Sequence, residues 1–159
     1  MKKKIFAVVC LVALLFVTFE AVRYWKRNVP MIDLDSIAPI EGPTGKIVGE
    51  TMYPSDYEKP DQKVCVEPVG GGDILCRNVK TPSRFELSVP VGSYYVFASI
   101  LKQIGDTSPL RRAYDNAFVK CGIKAGCVDH TRTVFNVEAG QSLEAKPHDW
   151  YLPKGELGF

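Results

Sequence analysis

The segment Cys65-Val66-Glu67-Pro68-Val69-Gly70-Gly71-Gly72-Asp73-Ile74-Leu75-Cys76 sets two apolar flanks around a triple glycine. A hairpin centred on Gly70-Gly71, with a loop of two or four residues, pairs positions whose numbers sum to 141, so Cys65 faces Cys76. Facing residues of a non-hydrogen-bonded antiparallel pair bring their Cβ atoms near disulfide distance. The glycines supply the positive φ angles that such a turn demands. A three-residue loop shifts this register.

Outward from the hairpin, short β-like runs alternate with turn signals over Lys46–Met52, Lys63–Val69, Ile74–Lys80, Arg84–Val89, Tyr94–Ile100, Ala113–Val119 and Thr131–Glu138. Phe85, Leu87 and Val89 fall on one face of a strand and Arg84, Glu86 and Ser88 on the other. Pro90-Val-Gly-Ser93 reads as a turn joining two such strands. No long helical period occurs after residue 27, and all 13 Gly and 11 Pro lie there. The expectation is all-β: an antiparallel seven-stranded sandwich.

The order of motifs resembles the prealbumin-like, carboxypeptidase regulatory-like (transthyretin-like) β-sandwich domains of bacterial envelope proteins. It runs through Val-Gly-Glu-Thr-Met-Tyr-Pro-Ser-Asp-Tyr (48–57), Val-Cys-Val-Glu (64–67) and Phe-Glu-Leu-Ser-Val-Pro-Val-Gly-Ser-Tyr-Tyr-Val-Phe-Ala (85–98). It continues through Ala-Tyr-Asp-Asn-Ala-Phe-Val-Lys-Cys-Gly (113–122), Cys-Val-Asp-His (127–130), Val-Glu-Ala-Gly-Gln-Ser (137–142) and Asp-Trp-Tyr (149–151). The resemblance implies a transthyretin-like sandwich over residues 46–152, of a kind that serves as a non-catalytic accessory or adhesive module. Fold analogy does not supply a ligand.

The first 27 residues form a separate leader. Lys2, Lys3 and Lys4 precede an unbroken apolar run, Ile5–Phe19, followed by Glu20, Arg23, Tyr24, Trp25, Lys26 and Arg27. A basic start and apolar core match an export signal, but Phe19-Glu20-Ala21 is a poor cleavage site. Extended to Tyr24, the helix reaches about 30 Å, enough to span hydrocarbon. Tyr24-Trp25 and the flanking bases suit an interface. The expectation is a single-pass signal anchor contacting the membrane through residues 5–25, with secretion after cleavage as the alternative. Residues 28–45, with three prolines, read as a spacer, and 153–159 as a tail. With a bacterial envelope domain, this places the leader in the inner membrane and the body in the periplasm.

Six bases and one acid lie in the leader, leaving 14 bases and 17 acids in the remaining 132 residues. A slightly acidic body argues against nucleic acid, which requires a concentrated basic face. Beyond Cys10 in the leader, the body holds an even set of cysteines: Cys65, Cys76, Cys121 and Cys127. Cys121-Gly-Ile-Lys-Ala-Gly-Cys127 reads as a small loop stapled on itself. The rival is a metal site with His130, but paired Cys-x-x-Cys spacings are missing. Two disulfides place the body on the oxidising side of a membrane.

Candidate chemistry is sparse. The sequence has no Gly-x-Ser-x-Gly elbow, His-Glu-x-x-His helix or phosphate loop, and Ser55 in Pro-Ser-Asp reads as turn chemistry. His130 with Asp129, and His148 with Asp149, could offer ligands to a metal only if the two segments meet. That leaves a metal-dependent hydrolase through His130 and His148 as the minority alternative. Arg111 and Arg112, in a polar loop, could receive a carboxylate or an anionic glycan. Tyr94, Tyr95, Trp150 and Tyr151 could present rings to a sugar, with Tyr94 and Tyr95 pointing to opposite faces of a strand. The sequence thus points to a non-enzymatic binding or structural module with a protein or glycan ligand, with a carbohydrate-binding module as the alternative, and no cofactor.

Overall fold

The hairpin carries the register expected of it. In a computed structural model that describes residues 31–36, 40–57, 59–101 and 111–151, β3 (Gln62–Pro68) and β4 (Ile74–Val79) pair antiparallel with Cys65 opposite Cys76. The two cysteines are bridged, with Cα atoms 4.1 Å apart. Gly71 and Gly72 adopt φ of 84° and 124° in the turn, where a side chain on an L residue is disfavoured. The leader (1–27), residues 28–30 and 37–39 of the spacer, and the tail lie outside the described residues. Among the described residues no helix is long and apolar enough to cross a membrane.

Nine strands occur among the described residues, in two sheets. The larger runs β1 (Met31–Asp33), β4, β3, β6 (Gly92–Ile100), β7 (Arg112–Tyr114), with β8 (Phe135–Val137) also on β6. The smaller runs β5 (Arg84–Pro90), β2 (Thr44–Glu50), β9 (Ser142–Ala145). The sheets are mixed rather than antiparallel throughout, because β1–β4 and β2–β9 pair in parallel. Met31–Asp33, within the stretch read as spacer, supplies the parallel edge strand β1.

The two sheets close on one core. Ile47, Phe85, Leu87, Val89 and Ala145 from the smaller sheet meet Val64, Val66, Val79, Tyr94, Val96, Ala98, Phe135 and Val137 from the larger. Alternation along β5 is as read: Phe85, Leu87 and Val89 are buried and Arg84, Glu86 and Ser88 exposed. Near the β4–β5 side, Arg77 Nη1 donates to the Glu86 carbonyl at 2.6 Å and Tyr94 Oη donates to the Pro90 carbonyl at 3.0 Å. Both acceptors lie on strand β5 at the border of its sheet, so side chains occupy groups that could otherwise recruit another strand.

Two expected strands are shorter than read, one ending early and the other starting late. The run read as Ala113–Val119 stops at Tyr114, and the run read as Thr131–Glu138 is a strand only over Phe135–Val137. Asn116 takes the N-cap of a single helical turn, α1 (Ala117–Lys120), its Oδ1 accepting the Val119 amide. An amide side chain that satisfies a helix-start N–H favours the turn over continued strand. Strands β7 and β8 lie along the same border of β6, and residues 115–134 leave the sheet between them.

Gly45 and Gly49 of β2 mark where backbone approaches closest. A Cβ on Gly49 would meet the Ala145 carbonyl and the Phe85 ring; one on Gly45 would meet the Glu138 carbonyl and Val137. Gly49→Ala is therefore expected to destabilise the protein by about 1–3 kcal/mol despite alanine's smaller unfolded-state entropy. Chemical denaturation checks it; an unchanged midpoint contradicts the close approach.

Candidate functional site

The excursion 115–134 is held by a buried polar cluster. Asp149 is fully buried, and its Oδ2 accepts from His130 Nδ1 at 2.6 Å and from Asn116 Nδ2 at 2.5 Å. Its Oδ1 accepts the Tyr151 amide at 3.0 Å. Asn116, also fully buried, caps α1 through Oδ1 and reaches the His130 carbonyl through Nδ2. The backbone completes the tie, with the Asp149 amide on the Tyr114 carbonyl and the Ala117 amide on the Thr131 carbonyl. Donation from Nδ1 to the carboxylate fixes the orientation of the His130 ring. Its ring stacks on Phe118 at 4.7 Å, and Tyr151 meets Phe118 edge-on at 6.4 Å.

The loop beyond is stapled and partly apolar at its surface. Cys121 and Cys127 are bridged. Val128 is 85 % exposed and Tyr151 57 %. Asp129 accepts the Thr131 amide at 2.8 Å, and hydrogen bonds from Thr131 hold its carboxyl below the usual range. It therefore shapes a turn beside His130.

His148 has a different partner. Its Nε2 lies 2.8 Å from the Glu50 carbonyl, on a cleft of about 650 Å³ also lined by Arg84, Glu86, Glu144 and Lys146. His130 and His148 thus belong to separate contacts. Among the described residues no group of three or more His, Cys, Asp or Glu is arranged to hold a metal. Ser55 Oγ accepts the Tyr57 amide within a turn.

The rings and arginines singled out in the sequence fall into three settings. Tyr94 is buried in the core, whereas Tyr95 lies on the opposite face of β6, half-buried, with the Arg132 guanidinium 5.6 Å from its ring centre. Arg112 is part of β7 rather than of a loop: its guanidinium lies 4.6 Å over the Phe97 ring and 4.0 Å from Glu67. Arg111 is exposed. Trp150 donates Nε1 to the Met52 carbonyl at 2.8 Å, meets Tyr53 edge-on at 5.2 Å and packs on the core.

Several residues escaped the sequence reading. Asn116 and Phe118 lie in the 113–122 motif without a role having been read for them, and Arg132 had no motif to mark it, although Asn before Ala-Phe-Val-Lys is an N-cap signal. Arg132 lies 4.0 Å over the fully buried Tyr114 ring, whose hydroxyl is 3.4 Å from both Glu67 and Arg112. Burial pushes the Tyr114 hydroxyl up, and Arg112 and Arg132 draw it part of the way back.

Comparison with protein-family models, curated proteins and solved structures found no match.

Two predictions follow from this geometry. Asp149→Ala leaves His130 and Asn116 without their shared acceptor and should cost about 3 kcal/mol or more in urea denaturation; a loss within about 0.5 kcal/mol, as for an ordinary surface site, contradicts the cluster. For Tyr114, a raised folded-state pKa means that the unfolded chain releases its proton first. The stabilisation is complete below the ordinary tyrosine value of 10.0 and declines as pH rises from there. Tyr114→Phe should flatten the loss of stability above that pH, measured by denaturation at stepped alkaline pH.

Proposed function

We propose that this chain is a membrane-anchored, extracytoplasmic, non-catalytic module of the transthyretin-like sandwich type, acting by binding a partner through the excursion 115–134. The observation that carries the reading is the commitment of the Asp149 cluster. Both carboxylate oxygens and both ends of the Asn116 amide are engaged in holding chain segments together. Such a saturated network positions a loop, and a positioned loop lowers the ordering cost of binding.

The surface it positions is mixed. Val128 and Tyr151 are exposed, Phe118 is half-buried, and Lys120, Lys124 and Arg132 add positive charge. Exposed apolar groups with a basic rim suit a protein partner carrying acidic and apolar side chains. A glycan ligand is the second reading, favoured by the nearness of Tyr151 to Phe118. Those two rings stand at 66° to each other, a poorer match to a flat sugar face than coplanar rings. The basic-apolar-basic leader, Lys2 to Arg27, supports an inner-membrane anchor, and the paired cysteines support a body on the oxidising, periplasmic side.

A photoreactive amino acid at Val128 should give a cross-linked adduct in intact cells, and one at Glu86, on the other sheet, should give none. The Val128 adduct should vanish in Asp149→Ala protein and stay in the membrane fraction after alkaline extraction. Equal adducts from both positions, or none from Val128, contradict the assignment.

A further inference from the structure

The two disulfides sit in opposite environments. Cys65 and Cys76 are fully buried, their bridge lying beside Phe97 on the neighbouring strand. Cys121 is exposed and Cys127 half-buried, with Lys124, Ala125, Gly126 and Val128 around them exposed. Exchange requires a thiolate to approach a sulfur, so access discriminates between the pairs.

Two further features distinguish the outer pair. Its ring holds three residues in the left-handed region: Gly122 at φ 89°, Gly126 at 101°, and Ile123 at 55°. The first two are tolerant, but a β-branched residue there is disfavoured, and the Ile123 amide holds that turn by donating to the Phe118 carbonyl at 3.1 Å. The Lys124 side chain folds back over Gly122, within 3.4 Å of where a Cβ would stand, next to Cys121, and Lys120 precedes it. Lys120 and Lys124 make this exposed segment basic, and positive charge near a disulfide favours the approach of a thiolate. The loop's other ties, among them the Asn116 cap, the Asp149 cluster and the Cys121, Gly122 and Ile123 amides on carbonyls of α1, do not involve the sulfurs.

We propose that Cys121–Cys127 is a reversible thiol–disulfide exchange site for a dithiol reductant, free or carried on a protein, while Cys65–Cys76 is a permanent staple. A donor thiolate attacks one sulfur of the pair; the S–S bond breaks and the other cysteine leaves as a thiolate and takes up a proton. The donor's second thiolate then attacks the mixed disulfide, releasing the remaining cysteine, which is protonated in turn. The protein gains two electrons and two protons, and the donor leaves as a disulfide. The product is an open loop on an intact sandwich.

The test uses the full chain in detergent, with free thiols, Cys10 included, blocked by N-ethylmaleimide. The protein is then equilibrated with rising dithiothreitol, or with reduced thioredoxin, and newly freed thiols are alkylated with iodoacetamide and located by peptide mass. Cys121 and Cys127 should be labelled at dithiothreitol concentrations at least about tenfold below those for Cys65 and Cys76, with the β circular-dichroism spectrum unchanged. Labelling by both reductants extends the donor class to protein dithiols, and labelling by dithiothreitol alone confines it to small ones. Simultaneous opening of both pairs, opening of Cys65–Cys76 first, or resistance of Cys121–Cys127 until denaturant is added would overturn the proposal.

Discussion

A carboxylate taken fully out of water must find its hydrogen bonds in the protein, and Asp149 finds two of them on segments remote in sequence and a third on the nearby Tyr151 amide. His130 comes from the far end of the excursion, Asn116 from its start, and Tyr151 from the chain just beyond. Because one oxygen serves both His130 and Asn116, the two ends of the excursion are drawn to a single point. The loop between them is left with the small task of closing on itself, which Cys121–Cys127 performs. The placement of Phe118, Val128 and Tyr151 depends on that point.

The sheet scaffold makes this possible. The central part of β6 is buried on both faces, with Val96, Phe97 and Ala98 all inaccessible. On one side β6 pairs with β3 along its length; on the other it is shared between β7 and β8. Leaving the sheet between two pairings fixes both ends of an insertion in register, so residues 115–134 start and finish on a rigid strand. A site mounted this way is more precise than one on a free loop.

The core and the hairpin were legible from local chemistry, because alternation and turn residues act over a few positions. Phe85, Leu87, Val89 and the Cys65–Cys76 register needed nothing more. The mixed pairing was not legible: β1 and β9 are three and four residues long and join by parallel contacts with strands distant in sequence. The early end of the strand at Tyr114 turned on the Asn116 cap, which competes with β-branched and aromatic neighbours that favour a strand. For the site, His130 and Asp149 stood out as rare titratable residues. Their pairing across 19 positions carried no sequence signal, and adjacent residues were grouped instead. Asp129 proved to shape a turn, and His148 to face the Glu50 carbonyl.

Amide hydrogen exchange on the native protein, comparing wild type with Asp149→Asn, tests most directly whether one buried carboxylate holds the excursion. The substitution keeps the size of the side chain while replacing an acceptor oxygen with a donor amide. The account predicts faster exchange at Ala117, Val119, Thr133 and Tyr151, with β3, β4 and β6 unchanged. Unaltered exchange over 115–134, or a uniform increase across the sandwich, would contradict it.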